Sequence, residues 1–316
     1  MNNIKFYSHL NYRDWLVSIA IGEKYLEKFE KYVLPLVKEY CRINKLGLAC
    51  ITSDIDQKYP KAIKGKKKTW QKFLVPLEIS KFSAEAKNIC YFDSDILFNP
   101  YGKNIFKFSN QEKIGLVSEI KNLPGNLLIA KKIISYSRNK YYSDQYPLES
   151  AIFMDTKDYY NYHGYEEFDD IACAGLYVAN IQNHSEILEK IFCKYKNDIE
   201  SITDGGDEPA FNYEIRSLSE VKNLPYEFQA IWSYEMAWSY RHLYKKVDHI
   251  DEDVINSICS CLLSKTALHF AGSWHESKLY FDERITKNIL SDEMKDYFSY
   301  QENPPNPKPV GRKMPN

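Results

Sequence analysis

Residues 15–21, WLVSIAI, form an apolar, partly β-branched run that stops at Gly22, and such a run without an alternating polar face reads as a buried strand. In the segment 23–44 that follows, Tyr25, Leu26, Phe29, Val33, Leu34, Val37 and Cys41 recur at spacings of three and four, predicting an amphipathic helix kinked at Pro35. After a Lys45-Leu46-Gly47 turn, residues 48–52 make a second strand. Strand, helix and strand in this order are the mark of a parallel sheet, which commits the chain to the α/β class.

The pattern continues. Strands are expected at 89–92, 114–118, 175–180 and 267–270, and helices over 73–86, 185–202, from about 207, and over 252–263. Alternation along the chain predicts a single α/β unit over residues 1–290. The segment 291–316 follows, and its tail from about 302 holds five of the thirteen prolines and is expected to be disordered.

Composition removes several function classes. Lys plus Arg number 42 against 43 for Asp plus Glu, so no global positive field is available to hold nucleic acid. The seven cysteines are odd in number and dispersed, which fits reduced thiols. No apolar run approaches the roughly 18 residues needed to span a bilayer, and no leader of signal-peptide form is seen. The expectation is a cytoplasmic protein, at most peripherally attached to a membrane.

Chemistry concentrates at Ile89-Cys90-Tyr91-Phe92-Asp93-Ser94-Asp95-Ile96-Leu97-Phe98-Asn99-Pro100, where two acids sit between apolar stretches. On extended backbone, Asp93 and Asp95 project to one side and can converge on a hard divalent cation, which in turn can share a diphosphate. The bare D-x-D pattern is common, and the chain repeats it at Asp54-Ile55-Asp56 and Asp251-Glu252-Asp253. The last reads as acid enrichment at a helix start, while Asp54 and Asp56 follow a strand and remain a rival. Residues 61–72 carry six lysines around Gly65 and Trp70, predicting an exposed loop.

Four landmarks in order, the strand-helix-strand opening, YFDSDILFNP, AGLYVAN at 174–180 and Leu268-His269-Phe270-Ala271-Gly272, resemble the GT-A glycosyltransferases. Within them the chain is most similar to glycosyltransferase family 8, which includes glycogenin and bacterial lipopolysaccharide galactosyltransferases. The resemblance spans roughly residues 15 to 275. It implies a mixed, mostly parallel sheet flanked by helices, with a nucleotide-sugar half at 1–125 and an acceptor half at 126–290. It also implies a UDP-sugar donor at the carboxyl ends of the strands, transfer of a hexose to a glycan, lipid-linked or protein acceptor, and a cation held by Asp93, Asp95 and His269. Two carboxylates and an imidazole suit Mn2+ at least as well as Mg2+.

The family pattern continues after Gly272 with a lysine two residues on, where this chain has Trp274, so the phosphate contact would fall to His275 or Lys278. Cys173 stands where the family usually has Asn. Asp207 and Glu208 occupy the place of the family's acidic-amide pair. Asp207 would hold donor hydroxyls, and Glu208 would face the reacting carbon or deprotonate the acceptor. Tyr25, Asp54, Trp70 and Lys72 are softer candidates for nucleobase or phosphate contacts. Trp232, Trp238 and the tyrosines between 226 and 244 line an acceptor groove or belong to the core. Competing readings are a sugar-nucleotide nucleotidyltransferase and a non-catalytic carbohydrate-binding protein. The first is disfavoured because Ile21-Gly22-Glu23-Lys24 lacks a Gly-rich basic loop.

Overall fold

In the computed structural model, residues 3–60, 62, 66–142, 153–195 and 206–302 are described. The expected disordered tail lies outside them, as does the end of the helix expected over 185–202. Strand β1 (Ile4–Phe6) precedes β2 (Asp14–Ile19), the first of the predicted strands. The long helix that follows is interrupted as Pro35 requires: α1 (Glu23–Lys28), a π-turn at Phe29–Val33, then α2 (Leu34–Asn44). Proline at 35 cannot donate to the carbonyl four residues back, and the widened turn just before it absorbs that loss. Lys45 closes α2 in the left-handed conformation at φ 56°, and β3 (Gly47–Ile51) follows.

A 3-10 stretch at Lys68–Leu74 leads into α3 (Val75–Ser80), then β4 (Asn88–Phe92), β5 (Ile96–Phe98) and β6 (Ile114–Ser118). Helices α4 (Leu127–Tyr141) and α5 (Thr156–Tyr162) begin at Asn126 and Asp155, whose side chains accept from Ile129 N and Asp158 N. Next come β7 (Ala172–Asn180), α6 (Ile181–Lys194), α7 (Glu208–Leu218), β8 (Val221–Leu224), β9 (Ala230–Ile231) and α8 (Trp232–Ser239). The described chain ends with α9 (Glu252–Leu263), β10 (Ala267–His269), α10 (Glu283–Ile289) and α11 (Asp292–Glu302). Asp251 caps α9 by accepting from Val254 N, so this acidic triplet is a helix start as predicted.

The main sheet has seven strands in the order β1-β3-β2-β4-β7-β6-β8, flanked by helices. It is mixed, as expected. Pairs β2·β3, β2·β4 and β6·β8 are parallel, and β1·β3, β4·β7 and β6·β7 antiparallel, so the parallel share is half. Both faces are covered: Cys90 and Phe92 of β4 join one apolar cluster with α2 and α9, while Ile89 and Tyr91 join the other with α3, α6 and α7. Coverage on both sides explains why the strands read as continuous apolar runs.

A second sheet of three strands, β5-β10-β9, stands beyond the end of β4. Here β10 runs antiparallel to β5 with His269 opposite Ile96, and parallel to β9 with His269 opposite Ile231. Among the described residues, no helix is long and apolar enough to cross a membrane.

Candidate metal centre and adjoining cleft

The chain leaves the main sheet at Phe92 and enters the small sheet at Ile96, and Asp93-Ser94-Asp95 makes the transfer. Extended backbone was expected here; instead Ile96 N donates to the Asp93 carbonyl at 3.1 Å, a tight turn forced by the change of sheet. The turn still brings the acids together. Asp93 N is anchored on the Gly175 carbonyl at 2.7 Å, and Phe270 N donates to the Asp95 carbonyl at 3.1 Å, tying the turn to β7 and to the end of β10.

Asp93, Asp95 and His269 thereby offer ligand atoms that all lie within 4.8 Å of one another. His269 Nε2 is 3.2 Å from Asp95 Oδ1, an oxygen shut off from solvent that makes no well-formed hydrogen bond. Burial alone would lower the His269 pKa; the Asp95 carboxylate, by charge and hydrogen bond and with help from Asp93, outweighs it and raises the pKa. Gly175 is required by this packing, because a Cβ there would sit 2.4 Å from His269 Cε1 and 3.0 Å from Asp93 Oδ2.

Lys72 corrects the sequence picture of a solvated lysine run. Its side chain is 2% exposed, with Nζ 2.7 Å from Asp207 Oδ2, 3.7 Å from Asp93 Oδ1 and donating to the Ala174 carbonyl at 2.7 Å. Burial opposes its charge, but Asp207 and Asp93 win and raise its pKa. Asp207 thus faces Lys72 in this arrangement. Tyr91 donates to Asp93 Oδ1 and stacks on Tyr177 at 5.4 Å, and the Tyr177 hydroxyl donates to the Lys72 carbonyl at 2.6 Å.

Next to Asp207, Glu208 lies with Glu119 and Cys173 in a second group whose ligand atoms are also within 4.8 Å. Burial, then the mutual repulsion of Glu119 and Glu208, pushes the Glu208 pKa well up, with Lys72 offsetting part of it. Glu119 is raised too, chiefly by burial. A carboxyl whose folded pKa exceeds its unfolded value stabilises the fold below the ordinary glutamate range, about 4.3, and loses that contribution as pH rises through the folded pKa. Glu208→Gln is therefore expected to gain stability relative to the wild type as pH rises from 5 to 8, by about 1.4 kcal/mol per unit of pKa elevation. Denaturant unfolding at the two pH values checks this, and an equal difference at both would refute it.

A cleft of about 380 Å³ opens beside the turn. Asp93, Ser94 and Asp95 form one wall, and Tyr25, Lys67 and Lys68 stand among the residues of the others. Tyr25 is 64% exposed, so it is free to stack on a ligand rather than serving the core; Trp70 is fully buried and does serve it. Asp54 is held by Lys68 at 2.6 Å and Gln71 at 2.7 Å, so the first acid of the rival pair is engaged as a support for the cleft's lysine. Burial would raise the Asp54 pKa, but those two partners lower it.

Three further expected contacts lie outside the cleft lining. Gly272 turns the chain at φ 90°, a conformation suited to glycine. His275 packs against Tyr142 with ring centroids 4.7 Å apart and tilted by 32°, and sits 3.2 Å from Asp248 Oδ1, while Lys278 is exposed. The segment carrying them is anchored through Glu276, which accepts from buried Arg138 at 2.6 Å. Trp232, Tyr226, Tyr234 and Tyr244 are core residues, and Trp238 covers Gly125. Glu119 and Gln229 escaped the sequence reading, since each is a lone polar residue without a motif.

No protein-family model matches the chain, and no curated protein matches it in sequence. Among solved structures, it is similar to a glycosyltransferase involved in glycosylation of the major capsid of PBCV-1, at 10% identity and TM-score 0.48, over 85% of this chain and 98% of that one. It is also similar to the WbbM bifunctional glycosyltransferase, at 10% identity and TM-score 0.43, over 92% of this chain and 52% of that one. A third likeness, to mouse xyloside xylosyltransferase 1, has 10% identity and TM-score 0.38 over 81% and 97% of the two chains. At this distance the likeness says nothing about substrate or chemistry.

Proposed function

We propose that the protein is a metal-dependent glycosyltransferase that moves a hexose from a UDP-sugar to a carbohydrate-containing acceptor. The observation that carries this reading is the convergence of Asp93, Asp95 and His269 on the edge of a cleft that also presents an exposed tyrosine and two lysines. The donor set fits a divalent cation: two carboxylates and an imidazole suit Mn2+ or Mg2+, and the enclosed Asp95 Oδ1 lacks a well-formed partner. Bound there, the cation would offset negative charge on the diphosphate leaving group.

The chain's own residues divide the remaining tasks. Tyr25 offers a flat face to the uracil, and Lys67 and Lys68 supply positive charge for phosphate oxygens. Lys72 keeps Asp93 and Asp207 in place by neutralising them. Glu208 either faces the reacting carbon or accepts a proton from the acceptor hydroxyl; the second role needs its ionised form, which burial and Glu119 disfavour, and would imply inversion at the anomeric carbon.

The test is removal of the metal. Wild-type protein incubated with UDP-glucose or UDP-galactose is expected to release UDP with Mn2+ present, to stop in EDTA, and to resume when Mn2+ is restored in excess. Release indifferent to EDTA would count against the reading, and formation of a nucleoside triphosphate from pyrophosphate and a UDP-sugar would favour a nucleotidyltransferase.

A further inference from the structure

His269 is gripped from behind by a residue that no motif marks. Gln229 is 1% exposed and immediately precedes β9, the strand that pairs with β10 beside His269. Its Nε2 lies 3.1 Å from His269 Nδ1 and donates to the Cys173 carbonyl at 3.3 Å, while its Oε1 is enclosed without a hydrogen-bond partner. An amide NH2 only donates, so in a neutral ring Nδ1 accepts in this arrangement. A neutral imidazole then carries its proton on Nε2, 3.2 Å from Asp95 Oδ1. That tautomer turns its proton toward the carboxylate without a well-formed bond to it, and Nε2 has no lone pair for a cation.

A ligating imidazole needs the reverse: a bare Nε2, and an Nδ1–H that donates to an acceptor behind the ring. We infer that Gln229 is the positioning residue that selects the His269 tautomer, presenting Oε1 to Nδ1–H when Asp93, Asp95 and His269 hold a divalent cation. This rests on the metal-dependent reading above. Turning the amide about its last bond exchanges oxygen and nitrogen in place. The turn forfeits the long bond to the Cys173 carbonyl and supplies Oε1 with the partner it lacks. Cys173 Sγ, 3.4 Å from Nδ1, is too weak an acceptor to serve instead.

Mn2+ binding to the full chain, followed by the electron paramagnetic resonance of the free ion, tests the role in wild type, Gln229→Met and Gln229→Glu. Met fills a similar volume with neither donor nor acceptor, whereas Glu keeps the acceptor. Gln229→Met is expected to bind Mn2+ about 10–100-fold more weakly, and Gln229→Glu to match or exceed the wild type. Unchanged affinity in Gln229→Met, or equal losses in both variants, would overturn the proposal while leaving the metal site standing. A wild type that binds no Mn2+ would instead remove the metal reading and this role with it. Long-range proton–nitrogen spectra of the His269 ring with Mg2+ add a signature that packing alone would not move: the ring proton should shift from Nε2 to Nδ1, and a proton retained on Nε2 in the loaded protein would refute the assignment.

Discussion

Asp95→Asn is expected to lower metal-dependent UDP release by about 10²–10³-fold, the loss typical when one preorganised electrostatic contact at a leaving group is removed. The exchange is nearly isosteric, so the turn between β4 and β5 keeps its backbone bonds, the Ile96 N to Asp93 O link at 3.1 Å and the Phe270 N to Asp95 O link at 3.1 Å. What changes is charge. The buried Oδ1 that faces His269 Nε2 at 3.2 Å becomes part of a neutral amide, and one of two anionic ligands disappears. Asp54→Asn serves as the control, because Asp54 braces Lys68 at 2.6 Å and stands outside the group formed by Asp93, Asp95 and His269. It should weaken UDP-sugar binding several-fold with little effect on Mn2+ affinity. Should Asp54→Asn abolish Mn2+ binding while Asp95→Asn leaves it intact, the metal centre has been placed at the wrong acidic pair.

How far the sequence reached depends on whether a signal was local. The helix expected over 252–263 is α9 to the residue, because its acidic cap and apolar stripe are written side by side. Strand β4 and the Asp93–Asp95 pair were equally legible, since buried strands announce themselves as apolar runs. Helix α8 was not: Trp232, Tyr234, Met236 and Ala237 are buried on all sides, so no polar face sets a period, and the aromatics left groove and core both open. Helix α4 escaped for the opposite reason, with Leu128, Ile129 and Tyr136 exposed and blurring its stripe.

Within the site, what was hidden is what depends on distant partners. Lys72 sits in a lysine-rich stretch and looked solvated, yet its environment is set by carboxylates 21 and 135 positions away, at 93 and 207. Glu119 carries no motif, and its setting comes from Glu208, which the fold brings beside it. Residues after Gly272 have an anchor that their order does not announce: Glu276 draws the segment onto Arg138.

Lys72→Met should be the most damaging single change to the fold of the site. The ammonium compensates Asp207, whose side chain is 8% exposed, and removing one partner of a buried ion pair typically costs about 3–5 kcal/mol, because the remaining charge stays desolvated and unpaired. In thermal unfolding this corresponds to a fall in Tm of roughly 5–8 °C for a chain of this size. Asp93 contributes less to the loss, since at 3.7 Å from Nζ and 27% exposed it retains some water. The double variant Lys72→Met with Asp207→Leu removes both buried charges and should recover most of the lost stability, as apolar replacements of buried pairs commonly do. Activity should not return with it. Asp93 would still lack the cation that steadies it opposite Tyr91, so the metal site would be held more loosely in the double variant than in the wild type. A Tm in Lys72→Met equal to that of the wild type would mean that the pair contributes nothing to the fold. Full UDP release from the double variant would mean that the lysine only neutralises Asp207 and plays no part in shaping the site.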